Sequence, residues 1–97
     1  MLIVRNCFVA KPGQASKLAA QLKAAGAVAS NASTAKYRVL TDFTGEFNRV
    51  ILEFEVENIG QFEERLKEYQ TNTAFREKMQ GYTDLWVSGT REILQTT

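Results

Sequence analysis

Between Arg49 and Tyr69 the hydrophobic period changes once, and that change limits the folds open to the chain. Val50, Leu52, Phe54 and Val56 alternate with Ile51, Glu53 and Glu55, as in a strand with one covered face. Ile59, Phe62, Leu66 and Tyr69 then recur at helical spacing, opposite a charged face of Glu63, Glu64, Lys67 and Glu68. Only Glu57 and Asn58 separate the two patterns. Asn58 is a good N-cap, because its side chain accepts from the free amides of a first helical turn. Gln61, three residues on, stands where a capping box places Glu or Gln. A strand that turns so abruptly into an amphipathic helix is the start of a crossover that packs the helix on the strand's own sheet.

The rest of the chain repeats the unit. Leu2–Val9 is β-rich and ends at Lys11-Pro12-Gly13. Ala15, Leu18, Ala19, Leu22 and Ala25 follow with helical spacing, and Pro12 stands near the first turn, where its missing N–H costs little. Gly26 either ends this helix or is passed over, and the run "AVASNASTA", which has no period, is expected to be a loop or a loop with a frayed helical end. A second strand is expected from Lys36 to Phe43, then a turn in "TGEFN" around Gly45, then the strand Arg49–Val56. "TNT" at 71–73 interrupts the helix, Phe75 and Met79 resume it, and Gly81 closes it. Leu85–Leu94 is the fourth strand. The order β-α-β-β-α-β predicts an α+β, ferredoxin-like fold in one domain, residues 1–97: a four-stranded antiparallel sheet with its helices on one face.

Composition removes several kinds of chemistry. The chain has no histidine and one cysteine, Cys7. That excludes a Ser-His-Asp or Cys-His arrangement within it and gives no basis for a metal site or any other cofactor. Cys7, inside an apolar strand, reads as a small buried side chain, and a lone thiol fits a reducing, cytoplasmic setting. Twelve basic and eleven acidic residues leave a net charge of +1, without the basic face that nucleic acid requires. No apolar run is long enough to cross a bilayer, and the N-terminus lacks the pattern of a signal peptide.

Helices on one face leave the other uncovered. Ile51, Glu53 and Glu55 belong to that open face, whereas alternation orients neither strand one (Leu2, Val4, Asn6, Phe8 against Ile3, Arg5, Cys7, Val9) nor strand four (Trp86, Ser88, Thr90 against Val87, Gly89, Arg91, Ile93). Large apolar residues on such a face point to an interface, and a second copy of the chain would bury them. Asn6, Glu53 and one of Arg5, Arg38 or Arg91 would then pair inside.

Three stretches, "NCFVAKPG", "RVILEFEVENIGQFEERL" and "TAFREKMQGYTDLWVSGTREIL", together resemble the dimeric α/β-barrel superfamily, and most of all its NIPSNAP-like branch. The resemblance covers nearly the whole chain. It implies a homodimer closed through the open sheet faces, with a small-molecule pocket within the barrel or between sheet and helices. The superfamily also holds cofactor-independent monooxygenases of antibiotic biosynthesis and haem-degrading monooxygenases. Asn6 stands where the haem-degrading enzymes carry a strand-one Asn, but their iron-ligating His is missing and the single Trp, Trp86, is on strand four instead of helix two. Haem degradation is therefore not implied. The NIPSNAP-like pattern often has Arg in place of Asn6, with an aromatic two residues on, which Phe8 matches.

The candidate ligand-site residues are Asn6, Phe8, Arg38, Glu53 and Trp86. Asn6 would orient a ligand or bond a neighbouring side chain. Glu53 would act as a base in an apolar cavity or pair with an arginine. Trp86 and Tyr37 would stack on an aromatic substrate or pack at the dimer interface. Two functional classes follow: a small-molecule-binding or non-catalytic homodimer, or a cofactor-independent oxygenase or isomerase acting on an aromatic or polyketide-like molecule.

Overall fold

The computed structural model describes residues 1–32 and 37–97, with the backbone alone at 30–32. The elements are β1 (Leu2–Ala10), α1 (Ala15–Ala32), β2 (Tyr37–Thr41), β3 (Arg49–Val56), α2 (Ile59–Thr71), α3 (Thr73–Lys78), a 3-10 turn (Tyr82–Leu85) and β4 (Trp86–Gln95). The strands form one antiparallel sheet in the order β2-β3-β1-β4. This is the ferredoxin-like arrangement that the two crossovers require.

The core follows from the period-2 faces. Val4 on β1 and Val50, Leu52, Phe54 and Val56 on β3 are buried against Leu18, Leu22 and Ala25 of α1 and Phe62 of α2. The change of period is executed as its residues dictate: Asn58 Oδ1 accepts from the Gln61 N–H at 2.9 Å, and Gln61 Oε1 returns to the Glu57 N–H at 2.7 Å. "TNT" does break the helix. Asn72 ends α2 through its N–H to the Glu68 carbonyl, and its Oδ1 caps α3 by accepting from the Phe75 N–H.

Two expectations change. Residues 27–32 of the predicted loop belong to α1, and residues 33–35 lie outside the described residues, as does Lys36. The segment carries Ala27, Ala29 and Ala32, strong helix formers, and Ala29 is buried. Gly26 is passed over because α1 runs close to β2 there: an added Cβ would lie 3.1 Å from Tyr37 Cβ. The second strand is shorter than predicted, ending at Thr41. Asp42 leaves the ladder and its Oδ1 accepts from Arg49 Nε and Nη2 at 3.1 and 2.8 Å, bracing the connection to β3.

β4 is the strand the helices leave bare. It packs on β1 and on the 3-10 turn, and every residue after Trp86 is exposed. The layer between sheet and helices is therefore open along β4.

Candidate functional site

Strand register divides the predicted site residues between two faces. Val4 is fully buried under the helices, which places Asn6 and Phe8 on the same side. On β4, Asn6 is opposite Arg91 and Phe8 is opposite Gly89. The register then shifts: Val9 pairs with Ser88, but Ala10 pairs with Trp86, leaving Val87 as an extra, exposed residue. Strict alternation put Trp86 with Ser88 and Thr90. The bulge returns it to the face of Gly89 and Arg91, so Trp86 packs under the helices and not on the open face.

Asn6, Phe8 and Trp86 thus line one cleft of about 410 Å³ between the sheet and the α2–α3 pair. Its walls are largely aromatic. Phe8 and Trp86 have ring centroids 5.4 Å apart, made possible by the missing side chain at Gly89. Tyr37 meets Phe54 at 5.0 Å, and Tyr69 stacks on Phe75 at 4.7 Å and 19°. The break at Asn72 is what brings Phe75 of α3, and Met79 at its C-terminal cap, to the lining.

The lining residues that carry polar groups are Asn6, Thr90, Arg91, Trp86 and the tyrosines Tyr37, Tyr69 and Tyr82. Arg91 Nε donates to Asn6 Oδ1 at 2.7 Å, and the guanidinium lies 5.3 Å from the centre of the Phe62 ring. The Tyr37 and Tyr69 hydroxyls and Trp86 Nε1 are buried without a hydrogen-bond partner among the described residues. Burial, the dominant influence, raises the Tyr37 phenol above its ordinary value, so it stays protonated at neutral pH. Among the described residues, no carboxylate and no thiol lines the cleft.

Glu53 and Arg38 are elsewhere. They lie on the open face, in a row that crosses the whole sheet: Arg38 on β2, Glu53 on β3, Arg5 on β1 and Glu92 on β4 are successive cross-strand partners. Arg5 Nε donates to Glu53 Oε1 at 2.6 Å, and Arg38 donates to Oε2. Burial alone would raise the Glu53 carboxyl, but the hydrogen bonds and charges of the two arginines outweigh it and hold it below the ordinary carboxylate value. Glu53 is an ionised, paired group with no access to the cleft, which removes it as a general base there. On either side of the charged row the open face carries Ile3, Cys7, Ile51, Leu40 and Leu94. Burial pushes the Cys7 thiol up, away from thiolate reactivity.

Sequence reasoning put Arg91 among possible partners for buried polar groups but not among ligand candidates. It also missed Tyr69, Phe75 and Tyr82 as lining residues. The usable signal for Arg91 was its position two residues from Gly89, on the same side of the strand.

No family model matches the chain, and no curated protein does. Solved structures do. An uncharacterized NIPSNAP domain protein from Burkholderia xenovorans is 11% identical, superposes with a TM-score of 0.84, and the match covers 100% of this chain and 95% of that one. A NIPSNAP family protein from Agrobacterium tumefaciens is 12% identical, with a TM-score of 0.84 over 99% and 92% of the two chains. A putative antibiotic biosynthesis monooxygenase from Chloroflexus aurantiacus is 13% identical, with a TM-score of 0.76 over 99% and 92%. At these identities the likeness establishes a shared fold.

Proposed function

We propose that the chain is a small-molecule-binding protein of the NIPSNAP-like kind, acting in the cytoplasm as a homodimer. Its two sheet faces then have separate tasks. The open face, with its apolar patches and a row whose charges alternate and sum to zero, is suited to burial against a second copy. The helix-side cleft takes the ligand.

The observation that carries this reading is the cleft itself: about 410 Å³, walled by aromatic rings, with the Arg91–Asn6 pair at its polar position. Ligand sites have this size and this division between apolar walls and sparse polar groups. The rings favour a flat, aromatic ligand. Trp86, the only tryptophan, reports on the site. Titration with a neutral planar probe such as 2-naphthol is expected to quench its fluorescence saturably. Gly89→Leu, which fills the space beside Phe8 and Trp86, is expected to abolish that response in a variant with unchanged circular dichroism. Failure of wild type to respond, or an equal response in the filled variant, overturns the reading.

A cofactor-independent oxygenase acting on an aromatic substrate is the second reading, favoured by the likeness to the Chloroflexus aurantiacus protein. It predicts oxygen uptake with electron-rich hydroquinones, and a lack of uptake rejects it. Against it stands a lining that, among the described residues, has no carboxylate or thiol to move a proton.

A further inference from the structure

We infer that the ligand of the cleft is an aromatic carboxylate and that Arg91 recognises its anionic head. The inference rests on the binding role proposed above and specifies the ligand's charge.

Arg91 is a cation that the fold leaves unneutralised. The other arginines seen in contacts on the sheet have acidic partners: Arg5 and Arg38 share Glu53, and Arg49 holds Asp42. Arg91 has no carboxylate partner among the described residues. Its neighbour Glu92 points to the opposite face, toward Arg5. Among the described residues its one hydrogen bond, from Nε to Asn6 Oδ1, uses a single donor and leaves both Nη groups without a partner. Because Asn6 Oδ1 is the acceptor, the amide presents its own Nδ2 donors beside the guanidinium. Asn6 Nδ2 has no partner among the described residues either.

The position of this donor set fixes its use. Arg91 is exposed on β4, the strand that the helices do not cover, and it lines the cleft along with Asn6. The Phe62 ring, 5.3 Å from the guanidinium, gives it a cation–π partner and restrains it there. A ligand entering along β4 would place its rings against Phe8, Trp86 and Tyr37 and its head at the mouth, where water still reaches it. The free donors of a guanidinium form a planar fork that matches the two oxygens of a carboxylate. A neutral ligand would leave that fork unused.

The test compares 2-naphthoate with 2-naphthamide, the same rings with and without the charge, by calorimetry and Trp86 fluorescence. Wild type is expected to bind the acid roughly tenfold to a hundredfold more tightly than the amide, the range for hydrogen bonds to charged groups. Arg91→Gln is expected to erase that preference while still binding the amide, which also shows that the variant is folded. Arg91→Lys, charged but without the fork, keeps part of the preference. Equal binding of the two probes by wild type, or a preference that survives Arg91→Gln, overturns the carboxylate inference and leaves the cleft as a neutral-ligand site. Binding of neither probe by wild type overturns the binding reading and this inference with it.

Discussion

Arg5 and Glu53 are cross-strand partners on β1 and β3, and the Arg5 Nε–H reaches Glu53 Oε1 at 2.6 Å. Arg38 approaches the other carboxylate oxygen from β2, so one buried acid joins three strands. Removing it leaves two guanidiniums facing each other. Glu53→Ala is expected to cost about 1–3 kcal/mol of stability, since a buried group that receives charged hydrogen bonds is lost and its donors are stranded. Urea unfolding at fixed protein concentration measures this; a cost near zero would show that half-buried Arg5 and exposed Arg38 are adequately solvated without it.

The same pair sets an acid dependence. The folded Glu53 carboxyl titrates below its unfolded value. Its contribution is therefore fully present above the unfolded carboxyl value of about 4.3 and is lost as the pH falls through the lower, folded one. Wild-type stability should decline through that acid window, and the decline should be shallower in Glu53→Gln. Parallel curves for the two proteins would mean that other carboxylates govern the acid limb.

Tyr37 gives the alkaline counterpart. Its phenol is raised by burial, and its hydroxyl has no partner among the described residues. Stability from keeping it neutral is complete below the unfolded value near 10 and is lost as the pH rises beyond it. Tyr37→Phe deletes an unpaired polar atom and keeps the ring. It is expected to be neutral or to stabilise by about 1 kcal/mol at pH 7, and to flatten the alkaline limb. A loss of more than about 1 kcal/mol would reveal a hydrogen bond to that hydroxyl.

Gly26 is a helix-interior glycine whose replacement would ordinarily help. Alanine there gains about 1 kcal/mol of helix propensity. The new Cβ would meet Tyr37 Cβ at 3.1 Å, and that atom is fixed to the β2 backbone, so it cannot swing aside. Gly26→Ala is expected to destabilise by about 1–2 kcal/mol despite the propensity gain. Thermal unfolding decides the sign, and a raised midpoint would show that α1 shifts away from β2 at little cost.

The parts of the fold with a clean period were legible in the residues. The Val50–Val56 alternation, the Asn58–Gln61 cap and the interruption at Asn72 each rest on local chemistry, and each is found where the residues place it. The helical end at residues 27–32 was hidden because "AVASNASTA" has no apolar period, and the packing of Gly26 against Tyr37 that continues α1 along β2 shows only in the fold. The site was less legible. β1 has one polar residue on each face, so its orientation follows from Val4 under the helices and from no pattern in its own sequence. Trp86 was grouped with Ser88 and Thr90 because a one-residue bulge, invisible to alternation, moves it to the face of Gly89 and Arg91. Asn6 and Glu53, grouped as partners in one interior, are on opposite sides of the sheet because positions 6 and 53 differ in parity along the paired strands, Asn6 facing Leu52 and Glu53 facing Arg5.

The separation of tasks between the two faces is tested most directly by the solution mass, from light scattering, of wild type beside Glu53→Arg and Arg91→Gln. Wild type is expected at about twice the chain mass of 10.9 kDa. Glu53→Arg, which puts three cations in the open-face row, is expected at the monomer mass, and Arg91→Gln, on the cleft side, at the dimer mass. A monomeric wild type, or a Glu53→Arg that stays dimeric, would contradict the assignment of the open face to a second copy. A monomeric Arg91→Gln would contradict the division between the two faces.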